Sequence, residues 1–176
     1  MTSLVNAHKG DNSNRANAAF TIGLFTILGA LAFQYLGGFI PCELCYGQRV
    51  PYYAGLPILA LTIALWRVIP VPVRIGLTAI TAMIFIWSIY LAVYHAGVEW
   101  KFWPGPTSCT GTAGGDLSFS DLNNINDAKV VPCDDPQFRF LGLSFAGYNA
   151  IISLIIAGLL VWSVMGQVKR YRGTGL

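Results

Sequence analysis

Long apolar runs alternate with short polar breaks along this chain, and charge is confined to the breaks. No Asp, Glu, Lys or Arg occurs in residues 16–42, 50–66, 75–94 or 140–168. Spanning the hydrocarbon core of a bilayer takes roughly 20 mostly apolar residues. Each run therefore predicts a membrane helix, over about 18–36, 45–66, 73–94 and 145–165. The second run is short alone and reaches spanning length when its helix begins near Cys45 and takes in Arg49. Gly37 and Gly38 predict the break after the first helix, and Pro51 and Pro57 predict a kink within the second. The turn between the second and third helices, RVIPVPVR, is long enough only for a tight connection. Trp66, Trp100 and Trp103 fall near predicted helix ends, where interfacial aromatics collect.

The predicted fold is all-α: one integral membrane domain over residues 1–176, a four-helix bundle with a short loop at about 37–44 and a long one at about 96–141. Composition agrees, since 55% of the 176 residues are hydrophobic and only 11% charged, against about a quarter charged in soluble domains. The polar first 15 residues and the length of the run that follows do not fit a cleaved signal peptide. In the long loop, Ser118 and Asp121 form a capping pattern, and Phe119, Leu122 and Ile125 recur every third residue. That stretch reads either as one short helix lying on the membrane surface or as a polar loop with scattered apolar residues.

Charge sets the orientation. With four spans, Lys9, Arg15, Arg67, Arg74, Lys169, Arg170 and Arg172 share one side, and Arg49, Lys101, Lys129 and Arg139 the other. Seven against four places both termini in the cytoplasm. The net charge of +3 then reflects topology and points to no nucleic-acid partner.

Four cysteines fall on the opposite side: Cys42 and Cys45 in the short loop, Cys109 and Cys133 in the long one. Disulfides persist on that side of a membrane. A zinc site would ask for a second close pair of ligands, which the 24-residue separation of Cys109 and Cys133 does not provide. Two structural disulfides are the plainer alternative, and a Cys109–Cys133 bridge would stabilise by about 3 kcal/mol in the chain-entropy model. A Cys42–Cys45 bridge closes almost no loop, so it makes more sense as a redox centre. If a helix starts at Cys45, its amides and dipole favour a thiolate there, and Arg49 lies four residues on along the same face. Two dithiols on one face suggest a relay, with a membrane quinone as electron acceptor, because no glycine-rich phosphate loop for a nucleotide is present. His95, at the same-side end of the third helix, would hydrogen-bond a quinone oxygen or pass protons, or would be a solvated helix end.

The pattern Cys42-x-x-Cys45-x-x-x-Arg49, with the Phe140-Leu141-Gly142-Leu143 segment entering the fourth helix, resembles the disulfide bond formation protein B family. The likeness covers nearly the whole chain. It implies a thiol:quinone oxidoreductase of the bacterial inner membrane that reoxidises a periplasmic thioredoxin-fold (DsbA-like) oxidase and uses ubiquinone or menaquinone. It further implies that Cys109 forms the mixed disulfide with the partner and that Cys133 exchanges with Cys42. Cys45 would then face the quinone as a charge-transfer thiolate, with Arg49 and His95 beside the quinone. Gln48 stands where some members carry an acid. The alternatives are a specialised paralogue serving one partner, or a structural membrane protein with two loop disulfides.

Overall fold

The computed structural model describes residues 2–106 and 132–173. Among the described residues there are four helices: α1 (Thr2–Tyr35), α2 (Glu43–Ala64), α3 (Val71–Glu99) and α4 (Phe145–Gly173). A two-residue hairpin, β1 (Arg139–Phe140) with β2 (Leu143–Ser144), leads into α4. The helices form a ring in which α1 packs on α2 and α4, and α3 packs on α2 and α4. The predicted capped segment at Ser118–Ile125 lies outside the described residues, as does Cys109.

Several helix ends have a local reason. Past the end of α1, Gly37 N–H donates to Ala32 O and Gly38 adopts φ +69°, a left-handed conformation that favours glycine. α3 opens on Pro70 as its cap with another proline in its first turn, where a missing N–H costs nothing. α2 runs unbroken through Pro51 and Pro57. The turn of the small hairpin is Leu141–Gly142, at φ +49° and +83°. Positive φ at both central residues is the signature of a type I′ turn, which suits the right-handed twist of a hairpin. The FLGL segment is thus a turn that fixes how α4 enters the bundle.

α1 continues 16 residues before its expected start, and α3 five residues past its expected end. Among the described residues, three segments are long and apolar enough to cross a membrane: Asn12–Tyr35, Val71–Glu99 and Phe145–Gly173. α2 does not reach that measure, because it carries Gln48, Arg49, two glycines and three tyrosines.

Large apolar side chains point outward: Phe25, Leu61, Met83, Tyr90, Leu154 and Trp162 are all exposed. Inside, Leu56, Leu59, Phe85, Ile156 and Leu160 pack together with buried Thr62, Thr78, Thr81, Ser88 and Ser153. Thr62, Thr78 and Thr81 each donate to the carbonyl one turn back, so their hydroxyls are satisfied within their own helix. A chain with apolar groups outside and small polar groups inside is built for a lipid surround.

At the end away from the cysteines, Arg74 does not join the exposed charges of the turn. It is buried, donating through Nε to Gln167 Oε1 at 3.0 Å and through Nη1 to Trp66 O at 2.9 Å. Nearby, Ser163 Oγ donates to Asn12 O at 2.9 Å, tying α4 to α1. Gly166 allows that approach, because a Cβ there would stand 2.4 Å from Asn12 Oδ1. Gly166→Ala is expected to lower bundle stability by about 1–3 kcal/mol, the range for overpacked sites. Thermal unfolding in detergent micelles checks it, and an unchanged midpoint would contradict the close packing of α1 on α4.

Candidate functional site

The mouth of α2 sets the site. Cys42 precedes the helix in an extended conformation (φ −76°, ψ 172°) and acts as its N-cap, its sulfur accepting the Cys45 N–H at 3.2 Å. α2 begins at Glu43, two residues before the start expected at Cys45, which corrects the helix start and makes Cys42 the residue at the cap. The helix amides address the Cys42 sulfur, and the thiol of Cys45, one turn on, also donates to it. That hydrogen bond, opposed by burial and reinforced by His95, holds the Cys42 thiol well below the usual cysteine range. Cys42 and Cys45 are free thiols.

Cys133 is disulfide-bonded, buried, and packed against Cys42 together with Leu44 and Cys45. The segment around it is held from two sides. Lys101 Nζ meets Asp134 Oδ2 at 2.7 Å, and Gln137 Nε2 donates to Ile40 O at 2.7 Å.

His95 is buried, which excludes a solvated helix end. Its Nε2 lies 3.7 Å from Cys42 Sγ and 3.7 Å from Glu99 Oε1, one helical turn on. Its Nδ1 lies 2.6 Å from Gln48 Nε2. The direction of that bond follows from the rest of the chain of contacts. Tyr52 Oη donates to Asn149 Oδ1 at 2.6 Å, and Asn149 Nδ2 donates to Gln48 Oε1 at 2.6 Å. With its oxygen engaged, Gln48 presents N–H to His95 Nδ1. The ring proton therefore sits on Nε2, facing the sulfur and the carboxyl.

Beside Cys45 opens a cavity of about 530 Å³. Phe33, Phe39, Phe138 and Phe145 form one wall, with ring centroids 5.0 to 6.2 Å apart. Arg49 lies on the same helical face as Cys45 and also lines the cavity. Its guanidinium donates to Gln34 Oε1 and, at 3.4 Å, to Ala30 O. Among the described residues Arg49 makes no ion pair with a carboxylate. An uncompensated cation on an apolar, aromatic cavity next to a thiol fits a flat ring whose oxygens gain negative charge, as a quinone's do. The Cys42, Cys45 and His95 ligand atoms also lie within 4.8 Å of one another, close enough for a cation in distance alone. The thiol and imidazole hydrogen bonds above account for that closeness.

The structure thus brings together Cys42, Cys45, Arg49, His95 and Cys133. It also brings in residues that had no role in the sequence reading: Gln48, Tyr52, Glu99 and Asn149. Two of these were legible in principle, since Gln48 follows Cys45 by three and Glu99 follows His95 by four, each pair sharing a helical face.

A family model described as disulfide bond formation protein DsbB matches residues 13–163. No match was found among curated proteins or among solved structures. The chain belongs to the DsbB family, and so to the membrane oxidoreductases of disulfide bond formation.

The His95 contact gives a direct prediction. In the reduced protein the Cys42 thiolate, followed by its ultraviolet absorbance against Cys42→Ser, should form at a pH well below the roughly 8.5 of a free cysteine. His95→Ala should move that midpoint upward, and an unmoved midpoint would remove the imidazole from the account.

Proposed function

We propose that this protein is a thiol:quinone oxidoreductase that reoxidises a thioredoxin-fold, DsbA-like thiol oxidase and passes the electrons to ubiquinone or menaquinone. Acting as one membrane domain over residues 1–176, it would support disulfide bond formation in secreted proteins. The observation that carries this reading is the packing of disulfide-bonded Cys133 on the free thiol of Cys42, with Cys45 and Arg49 opening onto the aromatic cavity. One contact joins the two cysteine pairs, and one turn of α2 joins the inner pair to the cavity.

In this reading all four helices cross the bacterial inner membrane, with both termini cytoplasmic and the cysteines periplasmic. The Lys and Arg asymmetry supports that orientation. Exposed Tyr53, Leu61 and Leu65 support lipid contact for α2 as well.

The steps follow thiol–disulfide exchange. A partner thiolate attacks Cys109, breaking the Cys109–Cys133 bond and releasing Cys133 as a thiolate. Cys133 then attacks Cys42 of an oxidised Cys42–Cys45 pair, forming Cys133–Cys42 and releasing Cys45 as a thiolate. The partner's second thiol displaces Cys109, which leaves the partner oxidised. Cys109 in turn displaces Cys42, restoring Cys109–Cys133 and leaving Cys42 and Cys45 reduced. Free Cys42 and Cys45 beside a bonded Cys133 match that end state. A quinone held in the cavity supplies the two-electron acceptor that returns the inner pair to a disulfide. Arg49 would bind and orient it through its guanidinium, the Phe33–Phe145 wall would exclude water, and His95 Nε2–H would hold the Cys42 thiolate in place.

Purified protein given a reduced thioredoxin-fold oxidase and a soluble quinone tests this directly. Wild type should turn over, Cys45→Ser and Cys109→Ser should not, and turnover in either variant would contradict the relay. Arg49→Leu should lower kcat/KM for quinone about 10- to 100-fold, the effect of losing one charged hydrogen bond of about 1.5–3 kcal/mol.

A further inference from the structure

Glu99 is a carboxyl that the exchange steps above do not use. It is buried, and among the described residues its Oε2 finds no hydrogen-bond partner. It lines the same cavity as Cys45. The groups that face it are His95 on its own helix, Ser144 and Arg139 on the hairpin, and Cys42 and Cys45 at the mouth of α2. Ser144, also buried, donates to the Glu99 carboxyl, and Arg139 is exposed to solvent, so the donor that Glu99 shares with the Cys42 sulfur is His95 Nε2.

That donor is contested. Nε2 stands 3.7 Å from Glu99 Oε1 and 3.7 Å from Cys42 Sγ. Gln48 occupies Nδ1, so the ring offers these neighbours its Nε2 side alone, and that side faces two groups that can both be anions. Two anions competing for one proton donor in a buried site are disfavoured, because that donor serves only one of them and the two repel. When Cys42 and Cys45 form a disulfide, the sulfur carries no charge and the N–H serves a Glu99 carboxylate. When the pair is reduced, the Cys42 thiolate competes for the same N–H.

We propose that Glu99 is the proton-storing partner of the Cys42–Cys45 couple, taking up a proton when that disulfide is reduced and releasing it when the pair is reoxidised. The inference rests on the redox function proposed above and deepens it. The balance is simple. A disulfide plus a Glu99 carboxylate takes two electrons and two protons, becoming a Cys42 thiolate, a Cys45 thiol and a neutral Glu99. The buried cluster carries one negative charge before and one after. Without Glu99 the same reduction takes only one proton and adds a net charge to the buried site. Glu99 thereby acts as a positioning residue: it keeps the site's charge constant and leaves the His95 N–H free for the thiolate.

The test compares wild type with Glu99→Gln, which keeps the shape and removes the ionisable group. The Cys42–Cys45 couple is titrated in redox buffers from mildly acidic to mildly alkaline pH, and the reduced thiols are counted by alkylation and mass spectrometry. Wild type should show a pH slope of its potential near two protons per two electrons, and Glu99→Gln a slope near one. Infrared difference spectra between oxidised and reduced wild type should show a protonated carboxyl appearing on reduction, absent in Glu99→Gln. A variant that merely packs poorly would shift the potential at every pH without changing the proton count. Equal slopes in the two proteins, or a carboxyl band that persists in Glu99→Gln, would overturn the assignment of Glu99 alone. A Cys42–Cys45 pair that cannot be cycled in wild type would overturn the proposed function, and this inference with it.

Discussion

The hydrogen bond from the Cys45 amide to the Cys42 sulfur, at 3.2 Å, is where the local chemistry of this protein begins. A cysteine at the N-cap of a helix spends its sulfur on the backbone donors that the first turn leaves free. That choice fixes the rest of the site by helical periodicity. Cys42 stands outside the helix, where it meets Cys133 and His95. Cys45 lies one turn inward and Arg49 one turn further, and both look into the cavity. The outer sulfur is thereby set against Cys133 and the inner one against the cavity.

Behind the sulfurs, polar side chains in the bundle interior hold one another in fixed directions. Tyr52, Asn149 and Gln48 form a chain of donors and acceptors that ends on His95 Nδ1. Ser153 and Ser88 extend it between α3 and α4, with their hydroxyls 2.9 Å apart. In a lipid surround such groups have few other partners, so a connected chain both satisfies them and sets the tautomer of the imidazole. The same economy appears at the opposite end, where Arg74, Gln167 and the Trp66 carbonyl satisfy a buried guanidinium.

Much of this was legible in the sequence. Four helices followed from apolar runs, and Cys42, Cys45 and Arg49 stood out because two thiols and a cation at helical spacing have few other uses. What escaped were residues whose meaning depends on a neighbour from another helix. Gln48 is an ordinary polar residue until Asn149 engages its oxygen, and Glu99 an ordinary helix-end acid until it shares a donor with Cys42. Arg74 entered only as one charge on the side of the termini, because hydropathy cannot see the Gln167 that receives it. The start of α2 was read two residues late, since only the extended backbone of Cys42 reveals it as the cap. The FLGL segment was noticed as a likeness, and its physical sense, positive φ at Leu141 and Gly142, becomes visible only in the backbone.

The central claim is that electrons pass between the two cysteine pairs through Cys133 and Cys42. The most direct measurement is disulfide mapping of Cys45→Ser by non-reducing digestion and mass spectrometry. With its own partner removed, the Cys42 thiolate should attack the neighbouring disulfide, giving a Cys42–Cys133 bridge and a free Cys109. A Cys42–Cys109 bridge, or a Cys42 that stays free beside an intact Cys133 disulfide, would contradict the account.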